Sequence, residues 1–241
     1  MTKPQVIVDV KPRGIASAYI VAPFDEGKES LAKEGYKIIS LQENARLRIQ
    51  ESKEADVSKN GNWVREGAIY VPGKGKFLTK LSPIMTNAKQ ATDRHRQGHD
   101  FYLTDAQVEQ SLADSVELSV KSIPTNRFAD CDITAYAFGE EAKKYGEFLK
   151  EVGIEEMPIW TADLQDKPFV RQVWFDGLDY WSELDCSGRY LSNVSGVRGV
   201  CESAEGTAKN FEAYTPAQIE KTLKQLGFSG VTKSLVDRLR N

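Results

Sequence analysis

The hydrophobic period of this chain changes abruptly at Gly153. Over 140–152, Ala142, Tyr145, Phe148, Leu149 and Val152 recur along one helical face, and Gly153 follows as a stop. Directly after it, MPIWTADL and FVRQVWF drop that period and read as strands. Helix and strand signals alternate elsewhere too, but without the regular order of βαβ units. The expected fold class is therefore α+β.

Other segments carry similar signals. VIVDV and SAYIVA near the start read as strands, and a helix around 28–33 is stopped by Gly35. KIISLQENARLRIQE begins as a strand and becomes a helix, with Leu41, Ala45 and Ile49 four residues apart. NGNWVREGAIYVPGKGKFLT reads as β structure broken by the turn dipeptides Asn60-Gly61 and Pro72-Gly73. Thr104 and Gln107 form a capping-box pattern ahead of Val108 and Leu112. In the tail, Thr215-Pro216-Ala217-Gln218 starts a helix with the stripe Ile219, Leu223 and Leu226, and Gly227 ends it. A second helix carries Val231, Leu235, Val236 and Leu239, so 206–241 is expected to be a helical hairpin beside a main domain at 1–205.

The bulk properties exclude more than they select. A net charge of -3 gives no global argument for a nucleic-acid or membrane partner, and no apolar run is long enough to span a bilayer. The first residues show no signal peptide, and Cys131, Cys186 and Cys201 are widely spaced without a CxxC pair. Free thiols and a cytoplasmic location are expected, with association to a cell surface or virion left open.

Conventional catalytic patterns are thin. His95 and His99 form H-x3-H, but Gly98 lies between them and no cysteine pair completes a zinc set, so two solvated histidines are expected. Asp130 and Asp132 alternate on an expected strand, which would aim both carboxylates to one side and could hold Mg²⁺ in a hydrolase or nuclease. Asp9-Val10-Lys11 lacks the other acid of a nuclease motif. Residues 74–96 hold Lys74, Lys76, Lys80, Lys89, Arg94 and Arg96 against Asp93, a basic stretch that, with the tail helices, could meet nucleic acid. No serine elbow, phosphate loop or Cys-His pair is present. No enzyme activity and no cofactor are expected.

One stretch departs from the rest. WFDGLDYWSELDCSGRYLSNVSGVRGV, at 174–200, is rich in Asp, Ser, Gly and aromatic residues and holds no Lys, Gln or Met. Tyrosine and tryptophan supply rigid contact area, and small polar residues supply adaptable hydrogen bonds. Leu178, Trp181, Leu184, Leu191, Val194 and Val197 are expected as scaffold positions, leaving the polar and tyrosine positions to face outward. An irregular loop without a ligand fits the same composition.

Five segments, ISLQENARLRIQE, GNWVREGAIYVPGKGKFLTKLSPIM, FYLTDAQVEQSLADSV, FGEEAKKYGEFLKEVGIEEMPIW and the closing GVRGV, resemble the variable proteins of archaeal diversity-generating retroelements. AYTPAQIEKTLKQLGFSG extends the likeness into the tail. The resemblance implies a C-type lectin fold with added helices, and a ligand-binding surface, with a protein as the ligand. In that family a reverse transcriptase copies a template with errors at adenines, and the copy replaces part of the target gene. Asparagine codons changed at their adenines cannot yield Lys, Gln, Glu, Met or Trp, which makes Glu183 and Trp181 fixed positions. The implied contact residues are Asp176, Gly177, Asp179, Tyr180, Ser182, Asp185, Cys186, Ser187, Gly188, Tyr190, Ser192, Asn193 and Ser195, with 197–200 closing the region as scaffold. In better-known relatives the variable region lies near the C-terminus, whereas about forty residues follow it here.

Overall fold

The computed structural model describes residues 6–9, 15–187 and 190–201. Gly188 and the expected hairpin at 206–241 lie outside the described residues. Strands β1 (Ile7–Asp9) and β2 (Ser17–Ala22) lead to helix α1 (Phe24–Lys33), the short strand β3 (Lys37–Ile38), and helices α2 (Leu41–Glu51) and α3 (Asp56–Lys59). A long hairpin, β4 (Asn62–Val71) with β5 (Gly75–Thr79), comes next, followed by α4 (Ala88–Arg96), β6 (Phe101–Tyr102) and α5 (Asp105–Ala113). Short strands β7 (Ser115–Glu117) and β8 (Ser122–Pro124) precede α6 (Asp132–Phe138) and α7 (Ala142–Glu151). The described part ends with β9 (Glu156–Thr161), β10 (Phe169–Phe175), β11 (Leu184–Cys186) and β12 (Ser195–Val200).

Local chemistry sets the boundaries of these elements. Ser40 with Glu43, and Thr104 with Gln107, form complete capping boxes that start α2 and α5. The β4–β5 turn has Pro72 at its second position and Gly73 at φ +73° at its third, where a side chain would be strained. Gly153 takes φ +90° just past α7, the stop that the sequence indicates.

The strands run in the order β1-β2-β12-β4-β10-β11-β9-β8, mostly antiparallel, with β12 parallel to β4 and β11 parallel to β9. β4 and β10 are buried on both faces, so they read as near-continuous apolar runs rather than alternating ones. Val64, Ala68, Tyr70, Phe169, Val173 and Phe175 face a core built with α2, α6 and α7. Trp63, Ile69, Val71, Val170 and Trp174 face a second core built with α1, α4 and α5. Burying both faces is what makes the sheet a rigid platform for the loops at its end.

The expected strand holding Asp130 and Asp132 is corrected. Asp132 is the first residue of α6 and Asp130 lies in the preceding turn, both exposed. Ile133, Ala137 and Phe138 pack into the core at helical spacing, which overrides the two-residue alternation of the acids. The Asp132 carboxylate sits in the first helical turn, where the helix dipole favours it.

Glu66 on β4 is an internal acid, 1% exposed, whose Oε2 accepts the Leu41 N–H at 3.1 Å. Burial pushes its carboxyl up to about 7, against the opposing pull of Arg65. The folded state therefore holds a proton that the unfolded chain releases near pH 4.5. Glu66 contributes most to stability below that value and loses the contribution as pH rises through 7. Glu66→Gln keeps the acceptor for Leu41 and removes the ionisation. Denaturant unfolding should show the variant gaining roughly 1–3 kcal/mol over the parent at pH 8 and little at pH 4.5. An equal difference at both pH values would contradict the assignment.

Candidate functional site

The 174–200 stretch begins where β10 ends, and a buried arginine fixes that point. Arg48 of α2 is 0% exposed. Its Nε donates to the Val57 carbonyl at 3.0 Å and its Nη2 to the Asp176 carbonyl at 2.8 Å. Nη1 donates to Tyr145 Oη and to Ser182 Oγ, both at 3.0 Å, and those two hydroxyls lie 2.6 Å apart. The guanidinium carbon also stands 4.0 Å from the Phe175 ring centroid. A buried cation is tolerated only when its donors are met, and the planar guanidinium meets four partners on three segments at once.

The turn closed by this network is tight. Asp176 N–H donates to the Glu183 carbonyl at 3.0 Å, and Ser182 N–H to the Gly177 carbonyl at 3.1 Å. Trp181 and Ser182 both take left-handed backbone conformations, φ +56° and +55°. For residues with side chains that costs about 1 kcal/mol or more each, offset here by the bonds to Ser182 Oγ. A Cβ on Gly177 would collide with the Lys59 carbonyl, so α3 presses directly on the turn.

A second buried arginine holds the far end of the stretch. Arg198 of β12 is 0% exposed, pairs with the Asp56 carboxylate of α3, and donates to Ser17 Oγ at 3.3 Å. Its guanidinium lies 4.9 Å from the Tyr19 ring centroid. β12 is buried throughout 196–200, as expected for scaffold.

Between these anchors the implied contact residues separate into two groups. Asp179, Tyr180, Tyr190 and Asn193 are exposed, and Asp185, Ser187, Ser192 and Ser195 are half-buried. Asp176, Gly177, Ser182 and Cys186 are buried, which corrects the expectation that they face outward. Ser182 is held by Arg48 and Tyr145, and Asp176 Oδ1 accepts the Gly177 N–H at 3.1 Å. The Cys186 carbonyl accepts the Tyr70 hydroxyl at 2.6 Å, and burial raises its thiol well above the ordinary range. Two expected scaffold positions are corrected in the other direction, since Trp181 is 61% and Val194 68% exposed. Trp160, 52% exposed, is a further surface aromatic that composition did not single out.

The second half of the stretch leans on α4 and β10. Asp185 Oδ1 accepts both the backbone and hydroxyl hydrogens of Ser187 at 2.8 Å, and the Ser187 carbonyl accepts from Arg171. Leu191 is fully buried, and its N–H donates to His95 Nδ1 at 3.0 Å. The Tyr190 ring lies edge-on to the imidazole at 5.5 Å. His95 is thus not a solvated residue, while His99 is exposed beyond the end of α4. His95 Nδ1 is taken by the Leu191 N–H, and no cluster of three or more metal-ligating side chains occurs among the described residues.

The basic stretch is dispersed rather than assembled. Lys76 donates to Thr161 Oγ1 at 3.0 Å, and Lys80 sits 4.5 Å from the Tyr136 ring centroid. Lys89 and Arg96 pair with Asp93, and Arg96 also with Asp25 and Glu26. No helix among the described residues is long and apolar enough to cross a membrane.

Burial pushes the His95 imidazole down to about 4, with Asp100 opposing the shift and Arg171 reinforcing it. The unfolded chain takes up this proton near pH 6.5, so the stability that His95 contributes is complete above that value and is lost as pH falls through 4. His95→Gln removes the titration. Between pH 7 and pH 4 the parent should lose up to about 3 kcal/mol more stability than the variant, read by denaturant unfolding at each pH. Parallel pH profiles would show that His95 does not hold the 190–191 backbone as a neutral acceptor.

No protein-family model and no curated protein matches the sequence. Among solved structures the chain is similar to one reported under "Accommodation of massive sequence variation in Nanoarchaeota by the C-type lectin fold". The likeness has a TM-score of 0.58 at 14% sequence identity, and it covers 80% of this chain and 99% of that one. The described helices and mixed sheet are thus an α+β C-type lectin fold.

Proposed function

We propose that this chain is a non-enzymatic display protein that binds a protein ligand through the exposed side chains of 176–195. The observation that carries the reading is the division of labour within that stretch. Its backbone is pinned by buried groups, Arg48, Ser182, Leu191 and Arg198, none of which faces solvent. Its exposed polar and tyrosine members, Asp179, Tyr180, Tyr190 and Asn193, hold no backbone position through a buried contact other than the Tyr190 edge against His95. Tyr180 at 62% and Tyr190 at 42% exposure supply the rigid anchors, and the Asp, Ser and Asn side chains set hydrogen-bond specificity.

The reading extends to diversification. Asp179, Tyr180, Asp185, Ser187, Tyr190, Ser192, Asn193 and Ser195 are the positions that adenine-directed change could alter without loss of the fold. Asp176, Gly177, Ser182 and Cys186 are held constant by packing. The similar Nanoarchaeota structure, described in terms of massive sequence variation on this fold, supports that extension.

Two measurements test the proposal. Replacing Asp179, Tyr180, Ser192 and Asn193 together with alanine should leave unfolding free energy within about 1 kcal/mol of the parent. Gly177→Ala alone should cost about 1–3 kcal/mol through its clash with the Lys59 carbonyl. Collapse of the fourfold variant would place those side chains in the core and overturn the display reading. The DNA beside the gene should carry a near-repeat of the segment encoding 174–200, differing at adenines, together with a reverse-transcriptase gene. Its absence would remove the diversification and leave a fixed binding surface.

A further inference from the structure

We infer that the groove between Trp160 and Trp181 is a binding site for a peptide segment presenting an arginine or lysine side chain. The groove has a volume of about 760 Å³, within the range of sites that take a small-molecule-sized group. Residues of β9 and its neighbour β8 line it, joined by Trp181 from the turn after β10. The inference goes beyond the display reading, because Trp160 and the β8–β9 wall lie outside 174–200 and do not depend on any position there being varied.

Two indoles more than half exposed in one groove are unusual for a soluble protein surface. Both are held in place. Trp160 Nε1 donates to Glu183 Oε2 at 2.7 Å. Trp181 is carried on a left-handed backbone fixed from below by the Ser182 bonds to Arg48 and Tyr145. Backbone strain kept by a buried network, and ending in an exposed tryptophan, marks a position maintained for contact rather than for packing.

Charge selects the occupant. Exposed Glu155, Glu156 and Asp163 line the groove, against Lys76 and Lys121. Carboxylates thus outnumber ammonium groups by one, with Lys76 donating to Thr161 Oγ1 at 3.0 Å and Glu156 Oε2 accepting the Ser122 hydroxyl at 2.7 Å. Indole faces attract cations, and a guanidinium can stack on one while its edge reaches a carboxylate.

The test is a titration of the full-length protein followed by the indole N–H signals of its four tryptophans in nitrogen-proton correlation NMR. Trp63 and Trp174 are buried and serve as internal references. The probes are a capped Gly-Gly-Arg-Gly-Gly peptide, its citrulline counterpart, which is isosteric but uncharged, and a neutral trisaccharide. The arginine peptide should move the Trp160 and Trp181 signals and leave the references still, with the citrulline peptide about tenfold weaker. Glu155→Gln with Glu156→Gln should weaken the arginine peptide several-fold, and Trp181→Ala should abolish the Trp160 shift. The proposal is overturned by silence up to about 10 mM peptide, by equal response to arginine and citrulline, or by response to the saccharide alone. The fourfold alanine variant of the display surface retains the groove tryptophans, so loss of this site and loss of the display reading are separable.

Discussion

A guanidinium sealed from water has to be met by protein on every side, and Arg48 is met by four groups on three segments of the chain. Its partners come from α3, α7 and both ends of the turn at 176–182, with the Phe175 ring beneath it. Removing such a group leaves buried neutral acceptors unpaired, at a cost of about 1–3 kcal/mol for each one left unmet. The turn's geometry is thus set from inside the core and not by its own exposed residues. Helix α3 is the shared brace. Its Val57 carbonyl serves Arg48, its Asp56 carboxylate serves Arg198, and its Lys59 carbonyl lies against Gly177.

This arrangement bears directly on binding. A surface whose backbone is fixed before the ligand arrives loses little conformational freedom on association. The platform beneath it, β4 and β10 packed on both faces, is equally closed to rearrangement. On the proposed display reading, side chains above such a frame can change without moving it. The Trp160–Trp181 groove draws on the same network, since Ser182 secures the backbone that carries Trp181.

Much of the fold was legible in the sequence because its causes are local. The capping boxes at Ser40 and Thr104, the Pro72-Gly73 turn and the helical stripe through Tyr145 and Leu149 need only neighbouring residues. The site was less legible because its causes are distant. Ser182 and Asp176 have the composition of contact residues, yet both are buried beside an arginine more than 120 positions earlier. Nothing near His95 in sequence announces that Leu191 will cover it. Trp181 and Val194 fit a scaffold by hydrophobicity, but the left-handed turn at 181–182 leaves Trp181 in solvent. Asp130 and Asp132 misled for a simpler reason, since two-residue spacing at a helix start resembles a strand.

Native-state hydrogen exchange in Arg48→Met tests the central claim most directly. The Trp181 and Ser182 amides donate to the carbonyls of Leu178 and Gly177 and report on the turn itself. The account predicts that these amides lose at least about tenfold more protection than amides of the β4–β10 pairing, through local opening of the turn. Equal loss across the molecule, or unchanged protection at 181–182, would show that the turn holds itself and that Arg48 is not its anchor.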